Sequence, residues 1–225
     1  IVTEKMNMPF EVKDCTLITR MGGVNSALNL RELRERIASC PEACLFHHFS
    51  ETLVRPSFDD PEFRNDFAVW SARYLRDRVL AERLGILNPY KFDSLEQLRE
   101  TVIEIIDDRL AELPYIPSVP KGDDFLFMRA TTVVFDCGII LETPEELSQA
   151  LPLMTHSSIY YHFIEARRRT EQRVDDFTAW CHGFGSGCEQ LIEVFRGIDF
   201  YYLTLPELKG ALIDGVRTAA LQVTK

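Results

Sequence analysis

The sequence predicts a mainly α protein built by internal duplication of a helical unit of about 110 residues, each copy opening on a short β segment. Three observations carry that expectation. First, His48-Phe49-Ser50-Glu51 recurs as His162-Phe163-Ile164-Glu165, with Arg55 and Arg169 following at the same spacing. Second, Asn65-Asp66-Phe67-Ala68-Val69-Trp70 recurs as Asp175-Asp176-Phe177-Thr178-Ala179-Trp180, and these are the only two Trp in the chain. Third, helix-start signals repeat: Asn29 with Glu32 matches Thr143 with Glu146, and Ser94 with Gln97 matches Thr204 with Glu207. In each, a short polar side chain can accept a backbone N–H while the Glu or Gln reaches back.

The elements follow in order. The β-branched runs Cys15–Thr19 and Thr131–Phe135 read as strands. A first helix is expected at 30–38 and 144–152, the latter with Pro144 at the favoured first position. A second runs over 42–54 and 157–170, and Pro56 stops the earlier one. A third begins near Asp66 and Asp176. The later copy is broken at Gly183-Phe184-Gly185-Ser186-Gly187. A fourth, after Tyr90 and Tyr201, covers 95–112 and 205–221. The expected division is a unit over 1–113, a Pro-rich linker or strap over 114–124, and a second unit over 125–225. Duplicated units tend to pack through equivalent faces about a pseudo-twofold axis, as symmetric dimers do.

Composition narrows the classes of function. An apolar fraction of 46% and a charged fraction of 27% suit a packed core rather than disorder. The net charge of −10 repels phosphate backbones, so nucleic acid is not an expected partner. No apolar run reaches the roughly 18 residues of a membrane span, and no secretory leader is recognisable at Ile1–Phe10. The six Cys lack any CxxC and read as free thiols of a reducing cytoplasm. The chain lacks an initiator Met, so the expectation is a start partway into a longer chain.

The two histidine–phenylalanine motifs, the Asp-Phe-x-x-Trp motifs, Arg55-Pro56 with Phe58-Asp59-Asp60-Pro61-Glu62, and Leu80-Ala81-Glu82-Arg83-Leu84 resemble an uncharacterised bacterial family, domain of unknown function 5752. The resemblance covers nearly the whole chain and implies no particular activity. One departure stands out: Ser158-Ile159-Tyr160-Tyr161-His162-Phe163 fits the family pattern, whereas the first copy reads Cys44-Leu45-Phe46-His47-His48-Phe49. The first copy therefore offers no tyrosine hydroxyl at position 46 or 47.

The candidate binding residues are the matched ones: His48, Glu51, Arg55, Asp66, Trp70, His162, Glu165, Arg169, Asp176 and Trp180. His48, Glu51 and Arg55 fall at i, i+3 and i+7, which places them on one helix face, and His162, Glu165 and Arg169 repeat the spacing. One reading is a structural network, Glu with Arg and each His with the Asp of the next helix, because buried polar groups need partners. The other is a ligand or divalent-metal site, although the paired Glu-x-x-His of di-metal bundles is missing. Asp66 and Asp176 read first as helix caps and second as carboxylates that orient the imidazoles. The two Trp read as core anchors.

Other features read as structure. Cys40, Cys44 and His47 share a helix face, but Met154, Ser158 and Tyr161 replace them in the second copy. Structural zinc also needs a fourth ligand. The glycine loop at 183–187 follows a helix rather than a strand, and Arg167-Arg168-Arg169 with Arg173 reads as a solvated face. No nucleophile–base pair can be argued. The expectation is a non-enzymatic cytoplasmic module binding a protein partner or small ligand, able to form a homo-oligomer, with no metal, cofactor, membrane or nucleic acid. The alternative is an enzyme or metal-binding protein that uses the duplicated His/Glu/Arg faces.

Overall fold

The computed structural model describes residues 8–54 and 62–223. It is mainly α with one two-stranded sheet, β1 (Phe10–Met21) beside β2 (Met128–Leu141). Both strands are longer than the short β segments the sequence suggests. The periodicity misleads because the residues flanking those short segments include charges, Glu11, Lys13 and Arg20 in β1 and Asp136 in β2, which a solvated strand face tolerates. The chain separates into two compact units: Leu17–Thr131, and Ile1–Thr16 together with Thr132–Lys225. Each strand contributes to both.

In the Leu17–Thr131 unit, α1 (Leu30–Ser39) starts at Asn29, whose side chain accepts from Glu32 N–H, while the Glu32 carboxylate takes the Leu28 N–H. Then come α2 (Glu42–Ser50), a 3-10 turn at Glu51–Val54, α3 (Asp66–Arg73), α4 (Arg78–Gly85) and α5 (Leu95–Glu112). Helix α5 opens on Ser94, which accepts from Gln97 N–H. The expected boundaries hold for α1, the start of α3 and α5. The last turn of the second helix tightens to 3-10, and α4 is an element the periodicity did not announce.

Leu30, Leu33 and Ile37 of α1, Leu45 and Phe49 of α2, Phe67 of α3, Leu80 and Leu84 of α4, and Leu98, Val102 and Ile106 of α5 build one apolar core. Burying such side chains is the main driving force for this unit, about 1.5–3 kcal/mol each. Proline-rich residues 114–124 form a strap rather than a free loop. Leu30 N–H donates to Pro117 O, Val119 N–H to Leu28 O, and Ala27 and Phe125 exchange both backbone bonds.

In the other unit, Thr143 and Glu146 form the expected capping box, but it leads into a 3-10 turn, Pro144–Glu146, and a one-turn helix α6 (Leu147–Ala150). The expected second helix is continuous but uneven: α7 (His156–Ile159), a π-helical segment at Tyr160–Glu165, and α8 (Ala166–Arg169). Helix α9 (Asp176–Cys181) gives way to a 3-10 segment, His182–Cys188, kinked at Gly185 with φ of 67°. Only glycine takes that conformation without strain, so the break falls where the glycines predict it. Helices α10 (Glu189–Gly197) and α11 (Leu205–Val223) follow, and α11 opens on the Thr204–Glu207 box. Ile159, Phe163, Phe177, Phe195, Tyr201, Leu208 and Leu212 are buried in this unit.

Candidate functional site

His162 is 3% exposed and lies at the middle of the π-helical segment. Its Nε2 accepts the backbone N–H of Lys13 in β1 at 2.8 Å, and its Nδ1 lies 2.8 Å from Asp176 Oδ2. A backbone N–H can only donate, so Nε2 must present its lone pair and the ring proton sits on Nδ1, donated to the carboxylate. The ring is also clasped by aromatics, with Phe10 at 4.8 Å and Phe177 at 5.8 Å between centroids.

The Leu17–Thr131 unit holds the same arrangement. His48, 2% exposed, accepts the Met128 N–H of β2 at Nε2 (2.9 Å) and faces Asp66 Oδ2 from Nδ1 at 2.7 Å. Phe125 and Phe67 stand against it at 4.8 and 5.3 Å. The Trp pair matches as well. Trp70 Nε1 donates to Asp123 O at 2.8 Å, and Trp180 Nε1 donates to Met8 O at 2.9 Å. Trp70 is buried, whereas Trp180 is only half-buried.

The helix caps are Asn65 and Asp175, whose side chains accept from Ala68 and Thr178 N–H. Asp66 and Asp176 stand one position later and aim at the imidazoles instead. The reading of those two aspartates as caps is therefore corrected. At the first helical position a side chain leans back past the N-terminal end of its own helix and is free to reach a neighbouring one. Burial raises the Asp175 carboxyl above the ordinary aspartate value, despite the Thr178 N–H and the Arg167 guanidinium. Asn65 fills the same capping position without that charge.

The matched glutamates are partnered differently. Glu165 meets Arg169, which also reaches Asp176 Oδ2 at 2.9 Å and Tyr161 O at 3.1 Å while lying 4.1 Å over the Tyr161 ring. In the other unit, Glu51 lies 2.6 Å from His47 Nδ1, and both are buried. His47 stands where Tyr161 stands in the second motif, so the departure noted in the sequence supplies Glu51 with its partner. Arg55 lies outside the described residues. Arg167 stacks on Phe200 at 4.5 Å and reaches Asp175, and Arg168 pairs weakly with Glu165. The tri-arginine run is thus drawn into internal contacts rather than left as one patch.

Among the described residues, no three His, Cys, Asp or Glu side chains converge as metal ligands. All six Cys are free thiols and only Cys137 is exposed. Burial pushes Cys44 up to about 11 and raises Cys40, Cys181 and Cys188. These thiols are packing groups, not nucleophiles. A groove lined by Gln190, Glu193, Val194, Thr218 and Ala219 contains none of the matched residues. No helix among the described residues is long and apolar enough to cross a membrane.

The sequence reading missed the strand partners of the motifs. Lys13 and Met128 enter through their backbone, which carries no residue signature. Phe10 and Phe125 could have been found, since each stands three residues before the N–H that meets its histidine.

Two clamped histidines, two anchored indoles and a mainly helical chain with a two-stranded sheet define a class without an assigned activity. The profile of a family of unknown function (DUF5752) matches residues 7–217, and the chain belongs to that family. The fold is similar to that described as "The structure of OrfY from Thermoproteus tenax", with a TM-score of 0.77 and 23% identity over 96% of this chain and 97% of that one. No curated protein matches the sequence.

Proposed function

We propose that the chain is a non-catalytic interaction module, evolved by duplication, whose matched polar residues hold its architecture and whose partner is a protein. The observation that carries this reading is the commitment of both ring nitrogens of His48 and of His162. An imidazole that accepts a strand N–H and donates to a carboxylate has no nitrogen left for a metal or for proton transfer. The Arg169 guanidinium, the best anion anchor in the motif, is already engaged by Glu165, Asp176 and Tyr161. The recurrence of His–Asp, strand N–H and Trp–carbonyl contacts in both units supports the duplication. The free, largely buried thiols and the acidic balance suit a reducing cytoplasm without nucleic-acid contacts.

The test is long-range 1H–15N NMR of the histidine rings, followed by titration with divalent metals, nucleotides and sugar phosphates. Protonated Nδ1 and bare Nε2 at His48 and His162, unmoved by any of these compounds, is the expected result. A ligand that shifts either ring specifically and saturably overturns the proposal and makes the matched residues a binding site.

A further inference from the structure

Gly22 N–H donates to Phe127 O at 2.7 Å, and nine positions earlier in β1 and nine later in β2 Lys13 pairs with Asp136. The two contacts fix an antiparallel register in which Arg20 stands directly opposite Arg129. Opposed residues share one face of the sheet, with Cα atoms about 5.5 Å apart in a hydrogen-bonded pair. Like charges placed this way destabilise the ladder unless something neutralises them. The adjoining positions on that face are Ile18, Gly22, Phe127 and Thr131, and none is acidic. Among the described residues no hydrogen bond or ion pair reaches either guanidinium. Arg20 is exposed and Arg129 half-buried, and Arg129 Nε is shut from solvent without an acceptor. The Arg129 charge also acts on the Cys44 thiol in the first turn of α2. That helix has no side-chain cap, so the partial positive charge of its N-terminus adds to the local field. Glu42, the acid of the same turn, pairs with neither arginine.

We propose that Arg20 and Arg129 form a binding site for a phosphate group, held between the two guanidiniums. A phosphate monoester carries about −1.5 to −2 charge at pH 7 and three acceptor oxygens. That matches two cations, each presenting five N–H donors in a planar fork. A carboxylate brings a single charge and two oxygens, enough for one fork and not for both. The bound dianion removes the repulsion between the bare arginines and supplies Arg129 with an acceptor. The same dianion is presented by a free small phosphate and by a phosphorylated side chain of a partner. The site lies on the sheet face, apart from the imidazole clamps, and does not depend on the interaction-module reading.

The experiment is 1H–15N NMR of the arginine Nε–H groups in the full chain, titrated at constant ionic strength with inorganic phosphate, N-acetyl-phosphoserine amide and acetate. The expected result is a saturable shift of the Arg20 and Arg129 signals with both phosphates, none with acetate, and unmoved His48 and His162 rings. Tighter binding of the phosphoserine assigns a phosphorylated side chain, and tighter binding of inorganic phosphate assigns a free ligand. Arg20→Gln should weaken phosphate binding about tenfold, the loss of one charge-assisted contact. Thermal unfolding gives a second readout. Without phosphate, Arg20→Gln should melt no lower than wild type, because it relieves the repulsion, and added phosphate should raise the Tm of wild type alone. Arginine signals that do not shift, acetate that acts as phosphate does, or an Arg20→Gln that binds like wild type overturns the proposal. A phosphate that shifts the His48 ring in place of the two arginines overturns it too, and with it the reading of that ring as purely structural.

Discussion

His162 accepts the backbone N–H of Lys13 at 2.8 Å across 149 residues of chain, and Asp176 holds the opposite side of the same ring. His48 does the same for Met128 across 80 residues, with Asp66 behind it. In each unit one imidazole thus fastens a strand to a helix that begins with an aspartate.

Removing either ring leaves a strand N–H and a carboxylate without that partner, in surroundings that are largely shut from water. His48→Ala and His162→Ala should each cost about 2–4 kcal/mol. Urea denaturation followed by circular dichroism measures the loss. A cost below about 0.5 kcal/mol, the range of ordinary surface changes, would show that the clamp carries little of the stability.

The two tryptophans should differ although their contacts match. Trp70→Phe loses a hydrogen bond to Asp123 O in a buried place, and Trp180→Phe loses one to Met8 O at a half-buried one. Trp70→Phe is expected to be the more damaging, by about 1 kcal/mol, because an orphaned carbonyl costs more where water cannot replace the donor. Thermal unfolding of the two variants side by side decides it.

Asp175 has its folded value raised by burial, so the folded state holds that proton more tightly than the unfolded chain does. The stability this group contributes is therefore greatest below the ordinary value of 3.8 and is lost as pH rises through the raised folded value. Asp175→Asn, which copies the residue at position 65, keeps the cap and removes the titration. The stability of the variant relative to wild type should increase as pH rises through that window. A gap independent of pH would mean that Asp175 is not penalised by burial.

Native thiol labelling should be ordered by access. Cys137 is exposed, and the other five are buried. One equivalent of a thiol reagent should react quickly, the remainder only on unfolding, and Cys137→Ser should abolish the fast phase.

The sequence was legible where side chains carry the signal. The capping pairs Asn29–Glu32 and Ser94–Gln97 place α1 and α5, and Gly185 marks the break after α9. The His–Asp pairing was one of two readings, and the choice lay in the register of a single residue, Asn65 or Asp66, at the start of α3. The strand partners were not legible, because Lys13 and Met128 contribute a backbone group that every residue but proline possesses. The strand lengths were obscured too, since an exposed strand loses the alternation that betrays a half-buried one.

The unit that contains His162 is completed by residues that precede the Leu17–Thr131 unit in sequence, and this imposes an order on synthesis. Leu17–Thr131 is a continuous segment and can close as soon as Met128 has left the ribosome. Lys13 must wait until the helix bearing His162 leaves the ribosome, so its strand is made early and fastened late. The strand that carries Lys13, made before the Leu17–Thr131 unit, thus finds its place after that unit has closed.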